Sequence, residues 1–253
     1  MIRPRLIPIL LIQDGGLVKG VNFKKHVYVG DPVNVVKIFN EKEVDEIAIL
    51  DISCTVENRD PNYELISEIT SEAFMPLSYG GGLKSIEQVR KIFHSGVEKV
   101  IFNTSAYLNP NLIKETAKEF GSSSTVVSID VKTSGFFKST KKVFIQNSRK
   151  QIELTPLEYS KMLVDLGAGE IILTSVDHEG LMAGYDNDLI EEITSNLEIP
   201  VVANGGAGNM DHFKQALNHG ASAVAAGSFF VFQGTHKAVL ITYPSYSDFS
   251  QII

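Results

Sequence analysis

The stretch ELISEITSEAFMP, residues 64–76, aligns without a gap on DLIEEITSNLEIP, residues 188–200, at an offset of 188 − 64 = 124. The same offset relates four further pairs: Glu46 and Glu170, Gly81 and Gly205, Gly82 and Gly206, and Thr104 and Ser228. Units of one strand and one helix resemble each other in general, so a single matched pair would mean little. One shift that relates a helix, a proline, a glycine pair and a hydroxyl indicates a duplicated half-domain.

Eight short apolar segments recur along the chain, separated by stretches with polar and apolar residues at helical spacing. The predicted strands are Leu6–Ile12, Glu46–Ile52, Pro76–Tyr79, Lys99–Phe102, Thr125–Ile129, Glu170–Leu173, Pro200–Ala203 and Ala223–Ala226. The predicted helices include Pro32–Glu43, Ser85–His94, Asn111–Phe120, Pro156–Leu166 and Asp211–His219. With the duplication and a length of 253 residues, this alternation predicts a single α/β domain. Its expected class is the (β/α)8 TIM barrel, with half-barrels at about 1–120 and 121–253.

An insertion is expected after the fifth strand. Residues 136–152 are rich in Lys, Ser and Thr, and Val143 and Ile145 alternate there with polar residues. Because alternation with a period of two is typical of a half-buried strand, this segment predicts a β-hairpin.

Charge and hydropathy exclude two classes of partner. The formal net charge of −7 and a pI near 5.4 argue against a broad nucleic-acid interface, since phosphate backbones select basic surfaces. The apolar run Leu6–Ile12 is too short to span a bilayer, and the polar Gln13 and Asp14 follow it at once. The run therefore predicts a buried strand, and the sequence predicts a cytoplasmic protein without a membrane partner.

Cysteine usage excludes a disulfide framework. Cys54 is the only cysteine, so an intrachain disulfide cannot form, and no CxxC or histidine-rich motif has metal-ligand spacing. We therefore expect a reducing compartment, no metal and no organic cofactor.

Two glycine loops follow the third and seventh predicted strands, at residues 80–82 and 205–208. Backbone N–H groups approach an oxyanion most easily where no Cβ intervenes, and barrels bind phosphate at the carboxyl ends of their strands. Donors at the ends of the following strands complete each cradle: Asn103 and Thr104 in the first half, and Gly227 and Ser228 in the second. The alternative for each loop is a simple tight turn. Two cradles in one register predict an elongated ligand with a phosphate at each end.

From Arg5 to about Phe232 the sequence resembles the cyclase subunit of imidazole glycerol phosphate synthase. The segments that carry the resemblance are PILLIQDGGLVKGVNF, VDEIAILDIS, PLSYGGGLKS, KVIFNTSA, VVSIDVK, GAGEIILTSVDHEG, GYDNDLI and PVVANGGAG. The resemblance implies a lyase-type synthase subunit of a glutamine amidotransferase, which receives ammonia from a glutaminase docked at the amino-terminal face of the barrel. It also implies a bisphosphorylated aminoimidazole ribonucleotide as substrate, which the two cradles would suit.

The resemblance also assigns roles to single residues. Asp130 at the end of the fifth strand corresponds to a catalytic carboxylate, Lys19 to a lysine of a mobile lid, and Gly180 to part of the second phosphate site. Four residues correspond to a charged ring at the ammonia entrance: Arg5, Glu46, Lys99 and Glu170. Without the resemblance, a structural salt-bridge layer would explain the ring equally well. Asp51 and Asp177 are weaker candidates, for which two interpretations are open: each contacts the ligand, or each only holds a loop in place.

The sequence departs from the family pattern at the first strand, where Leu11 occupies the position of a second catalytic aspartate. A leucine cannot transfer a proton, and losing one member of an acid–base pair commonly slows a reaction by about 10²- to 10⁴-fold. Asp14 is the nearest carboxylate, and Glu179 and Leu181 replace an aspartate and a threonine beside the second phosphate. The tail after Phe232 is short and interrupted by proline where the family continues into a full helix.

Three functional hypotheses follow. The leucine and the tail resemble a paralogous branch associated with surface-polysaccharide genes, in which the barrel and its glutaminase pass ammonia to a separate sugar-amidating enzyme. The second hypothesis is a histidine-pathway cyclase that works with Asp130, aided by Lys19 or Asp14. The third is a non-catalytic scaffold that binds a phosphorylated metabolite and signals its presence to a glutaminase.

Overall fold

The computed structural model describes residues 3–135, 139–234 and 236–251. Its centre is a closed barrel of eight parallel strands. In chain order these are β1 (Arg5–Gln13), β2 (Ile47–Asp51), β3 (Leu77–Gly80), β4 (Lys99–Phe102), β5 (Thr125–Ser134), β6 (Glu170–Ser175), β7 (Val201–Asn204) and β8 (Ala223–Ala226). Each strand pairs with its neighbours in sequence, and β8 pairs with β1 to close the ring. The predicted (β/α)8 barrel is confirmed.

Alternate residues of each strand face two different cores. In β1, Ile7 and Ile9 belong to an apolar cluster inside the barrel, whereas Leu6 and Leu10 pack in the larger core between the barrel and its helices. Side chains alternate across a strand, and a parallel sheet covered on both faces needs apolar residues on both. Polar groups are therefore confined to the two ends of the barrel interior.

Most helices begin at a residue suited to capping. Ser85 and Thr155 form complete capping boxes, and prolines occupy the first turns of three helices. In chain order the helices are α1 (Pro32–Glu41), α2 (Cys54–Glu57), α3 (Tyr63–Glu72), α4 (Ile86–His94), α5 (Thr104–Leu108), α6 (Pro110–Phe120), α7 (Pro156–Asp165), α8 (Asn187–Thr194), α9 (Met210–Asn218), α10 (Ser228–Val231) and α11 (Tyr246–Ser250). The five helices predicted explicitly are confirmed to within a few residues at each end.

Contacts repeat at the offset found in the sequence. The side chain of Asn62 caps α3 by accepting from the N–H of Leu65, and Asp186 caps α8 by accepting from the N–H of Leu189. The hydroxyls of Thr70 and Thr194 donate to the carbonyls of the residues that precede Gly96 and Gly220. Each of these pairs differs by 124 residues, as the duplication requires. The division into half-barrels near residue 120 stays a prediction.

A β-hairpin follows β1 and folds over the carboxyl-terminal mouth of the barrel. Its strands are Gly16–Val21 and Lys24–Gly30, and the first of them also pairs with β1. Lys19, which the resemblance matches to a lysine of a mobile lid, lies here on a regular antiparallel strand. Leu17 and Val18 and the run from His26 to Val29 supply β-forming residues on both strands. We call this element the lid hairpin.

A second hairpin extends β5, as predicted. The strand continues to Ser134 and pairs antiparallel with Thr140–Ile145, which pairs with Lys150–Gln151. Residues 136–138 of the predicted insertion lie outside the described residues. The tail forms a short ribbon of Phe232–Gln233 and Ala238–Val239 and then α11, in place of a full eighth helix.

Candidate functional site

A cavity of about 440 Å³ opens at the carboxyl ends of the strands. Apolar side chains form its floor: Ile9, Leu11, Leu50 and Ile101. The lid hairpin covers one side through Lys19, Phe23 and His26. Polar groups from both halves complete the wall: Asp51, Asn103, Ser128, Asp130, Thr174, Glu179 and Asn204.

The first glycine cradle lines this cavity. Gly81 and Gly82 both have positive φ, at 128° and 71°, and a Cβ on Gly81 would overlap the backbone carbonyl of Asp51. Glycine is therefore required there by conformation and by space. Asn103 and Thr104 line the same cavity as the two glycines.

The second cradle has a different environment. Gly180, Gly205, Gly206 and Ser228 are buried and, within the described part of the chain, do not line the cavity. Gly227 does line it, but the side chain of Lys19 covers this glycine: a Cβ on Gly227 would lie 2.6 Å from Lys19 Cε. The two predicted cradles thus occupy equivalent places in the barrel, but the first is open to the cavity and the second is largely covered.

Asp130 lies in the middle of β5 and is held by the amide of Asn103, whose Nδ2 donates to Asp130 Oδ2 over 3.1 Å. The carboxyl group is buried, and burial raises its pKa to about 7. The negative charge of Glu179 acts in the same direction, whereas the hydrogen bond from Asn103 opposes the shift. A carboxyl group that titrates near neutral pH is suited to general acid–base chemistry.

Leu11 lines the cavity at the end of β1, where the family resemblance expects a carboxylate. Asp14 is exposed in the turn before the lid hairpin, with φ at 51°, and does not line the cavity. The structure therefore provides no substitute for the missing acid at Asp14. Asp130 faces a floor of aliphatic side chains.

The two weaker candidates hold loops. Asp51 accepts hydrogen bonds from the backbone N–H groups of Ser53 and Cys54 at 3.0 and 3.1 Å, and Arg59 Nη2 lies 3.0 Å from both of its carboxylate oxygens. It also lines the cavity. Asp177 accepts from the N–H of Thr133 at 2.7 Å. Burial, followed by the hydrogen bond and charge of Asp51, raises the pKa of the Cys54 thiol to about 12.

Four charged residues form a closed ring at the opposite end of the barrel. Arg5 donates to both Glu46 and Glu170, and Lys99 Nζ lies 3.0 Å from Glu46 and 3.3 Å from Glu170. The glutamates are almost fully buried, whereas the two cations retain some exposure. Charges alternate around the ring, so every group has two neighbours of opposite sign. We call this arrangement the charged ring.

Lys84, Gln146 and Asn147 are among the cavity-wall residues that sequence reasoning missed. Lys84 lies two positions after Gly82, and a cation so close to a glycine loop was a usable signal. Gln146 and Asn147 come from the tip of the second hairpin. The N–H of Gln146 donates to Thr104 Oγ1, and Asn147 Nδ2 donates to Ile52 O, at 3.0 and 2.9 Å. No local pattern indicates these long-range contacts.

Among the described residues, no three His, Cys, Asp or Glu side chains are grouped as a metal site would require. No described helix combines the length and the apolar character needed to cross a bilayer.

Fold and cavity together define a class, the (β/α)8-barrel proteins with a polar site at the carboxyl ends of the strands. The particular family follows from comparison with known proteins: residues 5–237 match the family described as histidine biosynthesis protein, and the chain belongs to it. Among relatives, it is 50% identical over 248 residues to a Pseudomonas aeruginosa protein, covering 96% of this chain and 97% of the relative. It is 47% identical over 249 residues to a Leptospira borgpetersenii protein, covering 98% of each chain. The names of both relatives assign them provisionally as imidazole glycerol phosphate synthase subunits.

Proposed function

We propose that this chain is the ammonia-accepting barrel of a glutamine amidotransferase, and that it serves amidation of a surface sugar instead of histidine synthesis. The observation that carries the proposal is the contrast between the two ends of the barrel. The charged ring is complete, whereas Leu11 stands at the rim where a cyclase of this family needs an acid. Ammonia handling is thus retained and the cyclisation chemistry is weakened.

The path for ammonia would begin at the charged ring, against which a glutaminase subunit would dock. Ammonia is small and neutral, so the apolar interior around Ile7, Ile101 and Ala225 is a medium it can enter without the desolvation cost of an ion. Both cations of the ring are hydrogen-bonded to both glutamates, so admission requires one of them to move. The cavity at the carboxyl ends of the strands, which we call the rim cavity, contains Asp130 and the first cradle. It would receive the ammonia beside a phosphorylated ligand.

A second candidate is a true histidine-pathway cyclase, which makes imidazole glycerol phosphate and aminoimidazole carboxamide ribotide. One observation favours it: Asp130 is buried, positioned by Asn103 and has a pKa of about 7, as a general acid or base requires. In this candidate, the carboxyl group of Asp130 has to transfer protons on both sides of the imidazole ring that the reaction forms.

The deciding experiment supplies the purified chain with an ammonium salt and the bisphosphorylated histidine-pathway substrate, and measures product formation. The proposal expects no turnover above a protein-free control. A cyclase would show turnover that Asp130→Asn abolishes, and this outcome would refute the proposal. Leu11→Asp is the informative variant, because gain of activity would show that the acid alone is missing.

Ammonia acceptance has its own test, with a glutaminase of the imidazole glycerol phosphate synthase type. The proposal expects the chain to bind the glutaminase and to raise its glutamine hydrolysis. Lys99→Met should weaken this effect, because it breaks the charged ring at the docking face, whereas a substitution on an outer helix such as Glu192→Gln should not. A glutaminase indifferent to the chain would refute the proposal.

A further inference from the structure

The two cradles are related by one offset, yet they differ in what lies over them. The first opens into the rim cavity through Gly81, Gly82 and Thr104. The second reaches the cavity only at Gly227, among its predicted residues in the described chain. Ligand preference depends on what fills the second cradle.

Lys19 of the lid hairpin fills it. A Cβ on Gly227 would lie 2.6 Å from Lys19 Cε and 3.1 Å from its Nζ, so the lysine side chain lies directly on the glycine. Lys19 forms an ion pair with Glu179, and only 5% and 7% of these two residues are exposed. An anion at this position would have to displace a buried ion pair, whose remaining charge would then lack its partner.

The lid backbone closes the same region from another side. The N–H of Asn22 donates to the carbonyl of Glu179 over 2.9 Å, and a Cβ on Gly180 would lie 2.5 Å from the carbonyl of Gly20. Backbone atoms cannot turn aside as a flexible side chain can. The lid hairpin is therefore fastened to the loop after β6 at both backbone and side chain.

Electrostatics favours the first cradle as well. Glu179 neutralises Lys19, so the second cradle offers a phosphate no uncompensated positive charge. At the first cradle the carboxylate of Asp51 is likewise neutralised, by Arg59. Lys84 is an additional cation there: its Nζ contacts the neutral amide oxygen of Asn58 at 2.6 Å, and no described carboxylate forms an ion pair with it. The residue 124 positions after Lys84 is Gly208, so the second half carries no matching cation.

We infer that the barrel takes a ligand with a single phosphate, held in the first cradle beside Lys84, and that the Lys19–Glu179 pair closes the second cradle. The other end of the ligand faces Asp130 and the aliphatic floor, so a neutral or cationic group suits it better than a second phosphate. The inference rests on the phosphate binding included in the proposed function and narrows its substrate to a monophosphate.

Inorganic phosphate is a direct probe. Titration of the ¹⁵N-labelled, deuterated chain should shift the amide signals of Gly82, Asn103 and Thr104 in a saturable way and leave those of Gly206 and Ser228 in place. Calorimetry should give one phosphate per chain. Thr104→Val should weaken phosphate binding about tenfold, because it removes a protein hydroxyl that would donate to the charged phosphate. The equivalent substitution in the second cradle, Ser228→Ala, should change phosphate binding little.

Glu179→Gln tests the cause of the closure. The variant keeps the side-chain shape and leaves the charge of Lys19 over Gly227 uncompensated, so a second phosphate should bind and shift the signals of Gly227 and Ser228. Glu192→Gln on the outside of α8 makes the same change in net charge and should bind only one phosphate. If Glu179→Gln also binds only one phosphate, Glu179 is not the cause of the closure and the inference is overturned.

Two other outcomes would overturn it: two phosphates bound by the unmodified chain, or no saturable shift at the first cradle. Either outcome leaves the glutaminase experiment untouched, because that experiment contains no phosphate ligand. A chain that binds one phosphate but does not respond to a glutaminase would keep the ligand assignment and remove the proposed ammonia transfer. Failure of the inference and failure of the proposed function are thus distinguishable.

Discussion

The side-chain amide of Asn103 donates to the carboxyl group of Asp130 over 3.1 Å and to the carbonyl of Ser128 over 3.0 Å. It thereby joins the end of β4 to the middle of β5 inside the rim cavity. Burial makes the neutral form of Asp130 favourable, and this hydrogen bond opposes that effect by stabilising the charged form.

Removing the amide should therefore raise the pKa of Asp130 further above 7. We expect this for Asn103→Ala, measured by the pH dependence of the Asp130 carboxyl ¹³C signal. Asn204→Ala provides the control, because this second cavity amide donates to Thr174 Oγ1 and not to Asp130. A pKa that falls in Asn103→Ala would show that the hydrogen bond favours the protonated carboxyl group.

The same carboxyl group should make folding stability depend on pH. Its folded pKa is raised to about 7 from an ordinary value of 3.8, so the folded chain binds a proton more tightly than the unfolded chain does. Stability is then lost as pH rises from about 4 through about 7, by about 4 kcal/mol in all.

Asp130→Asn removes this titration and isolates its effect. The difference in unfolding free energy between the variant and the parent chain should grow in favour of the variant by about 4 kcal/mol between pH 4 and pH 8. Urea unfolding at a series of pH values measures it. A constant difference across this range would mean that Asp130 has the same affinity for protons in both states.

Much of the fold could be predicted because its signals are local. Runs of apolar residues marked the eight strands, and Ser, Thr, Asn or Asp marked many helix starts. The end of β5 was placed too early, at Ile129, because Asp130 interrupts the apolar run. The strand continues to Ser134 because antiparallel pairing with the second hairpin supplies partners for its backbone beyond the barrel.

The site was only partly predictable, because the difference in phosphate access between the two cradles depends on contacts between residues that are far apart in the sequence. Lys19 and Glu179 lie 160 positions apart, and neither carries a local sign that it pairs with the other. The sequence showed two matched glycine loops and no difference in access between them. Only the packing of the lid hairpin on Gly227 and Gly180 reveals that difference.

Two equivalent glycines allow steric cost to be separated from backbone strain. Gly96 and Gly220 have φ of 94° and 93°, so alanine should be strained by about 1–2 kcal/mol at either position. A Cβ on Gly96 would meet Thr70 Cβ at 3.4 Å, whereas one on Gly220 would lie 2.6 Å from Thr194 Oγ1. That hydroxyl donates to His219 O over 2.9 Å and would be displaced.

Gly220→Ala should therefore destabilise the chain by about 1 kcal/mol more than Gly96→Ala does. Chemical denaturation of both variants measures the difference. In a Thr194→Ala background the hydroxyl is absent, and the two glycine substitutions should cost nearly the same. An excess for Gly220→Ala that persists there would show that the clash with Thr194 is not its cause.

The charged ring should be a strong constraint on the amino-terminal end of the barrel. Glu170 accepts from both Arg5 and Lys99, so Glu170→Gln leaves Glu46 as the one carboxylate among the described residues that is paired with these two cations. Breaking a buried ion pair commonly costs about 3–5 kcal/mol, and the partial exposure of both cations lowers the expected loss to about 2 kcal/mol.

Glu119→Gln provides the matched control, because Glu119 forms a bidentate pair with Arg90 on exposed helix surfaces, where water already screens the charges. Urea unfolding should show a much smaller loss for this variant, and a high salt concentration should reduce it further. Glu170→Gln should keep most of its loss in salt, because its carboxylate is 8% exposed. Equal losses for the two variants would mean that the ring adds no more stability than a surface pair, and would leave ammonia admission as the better explanation for its four charges.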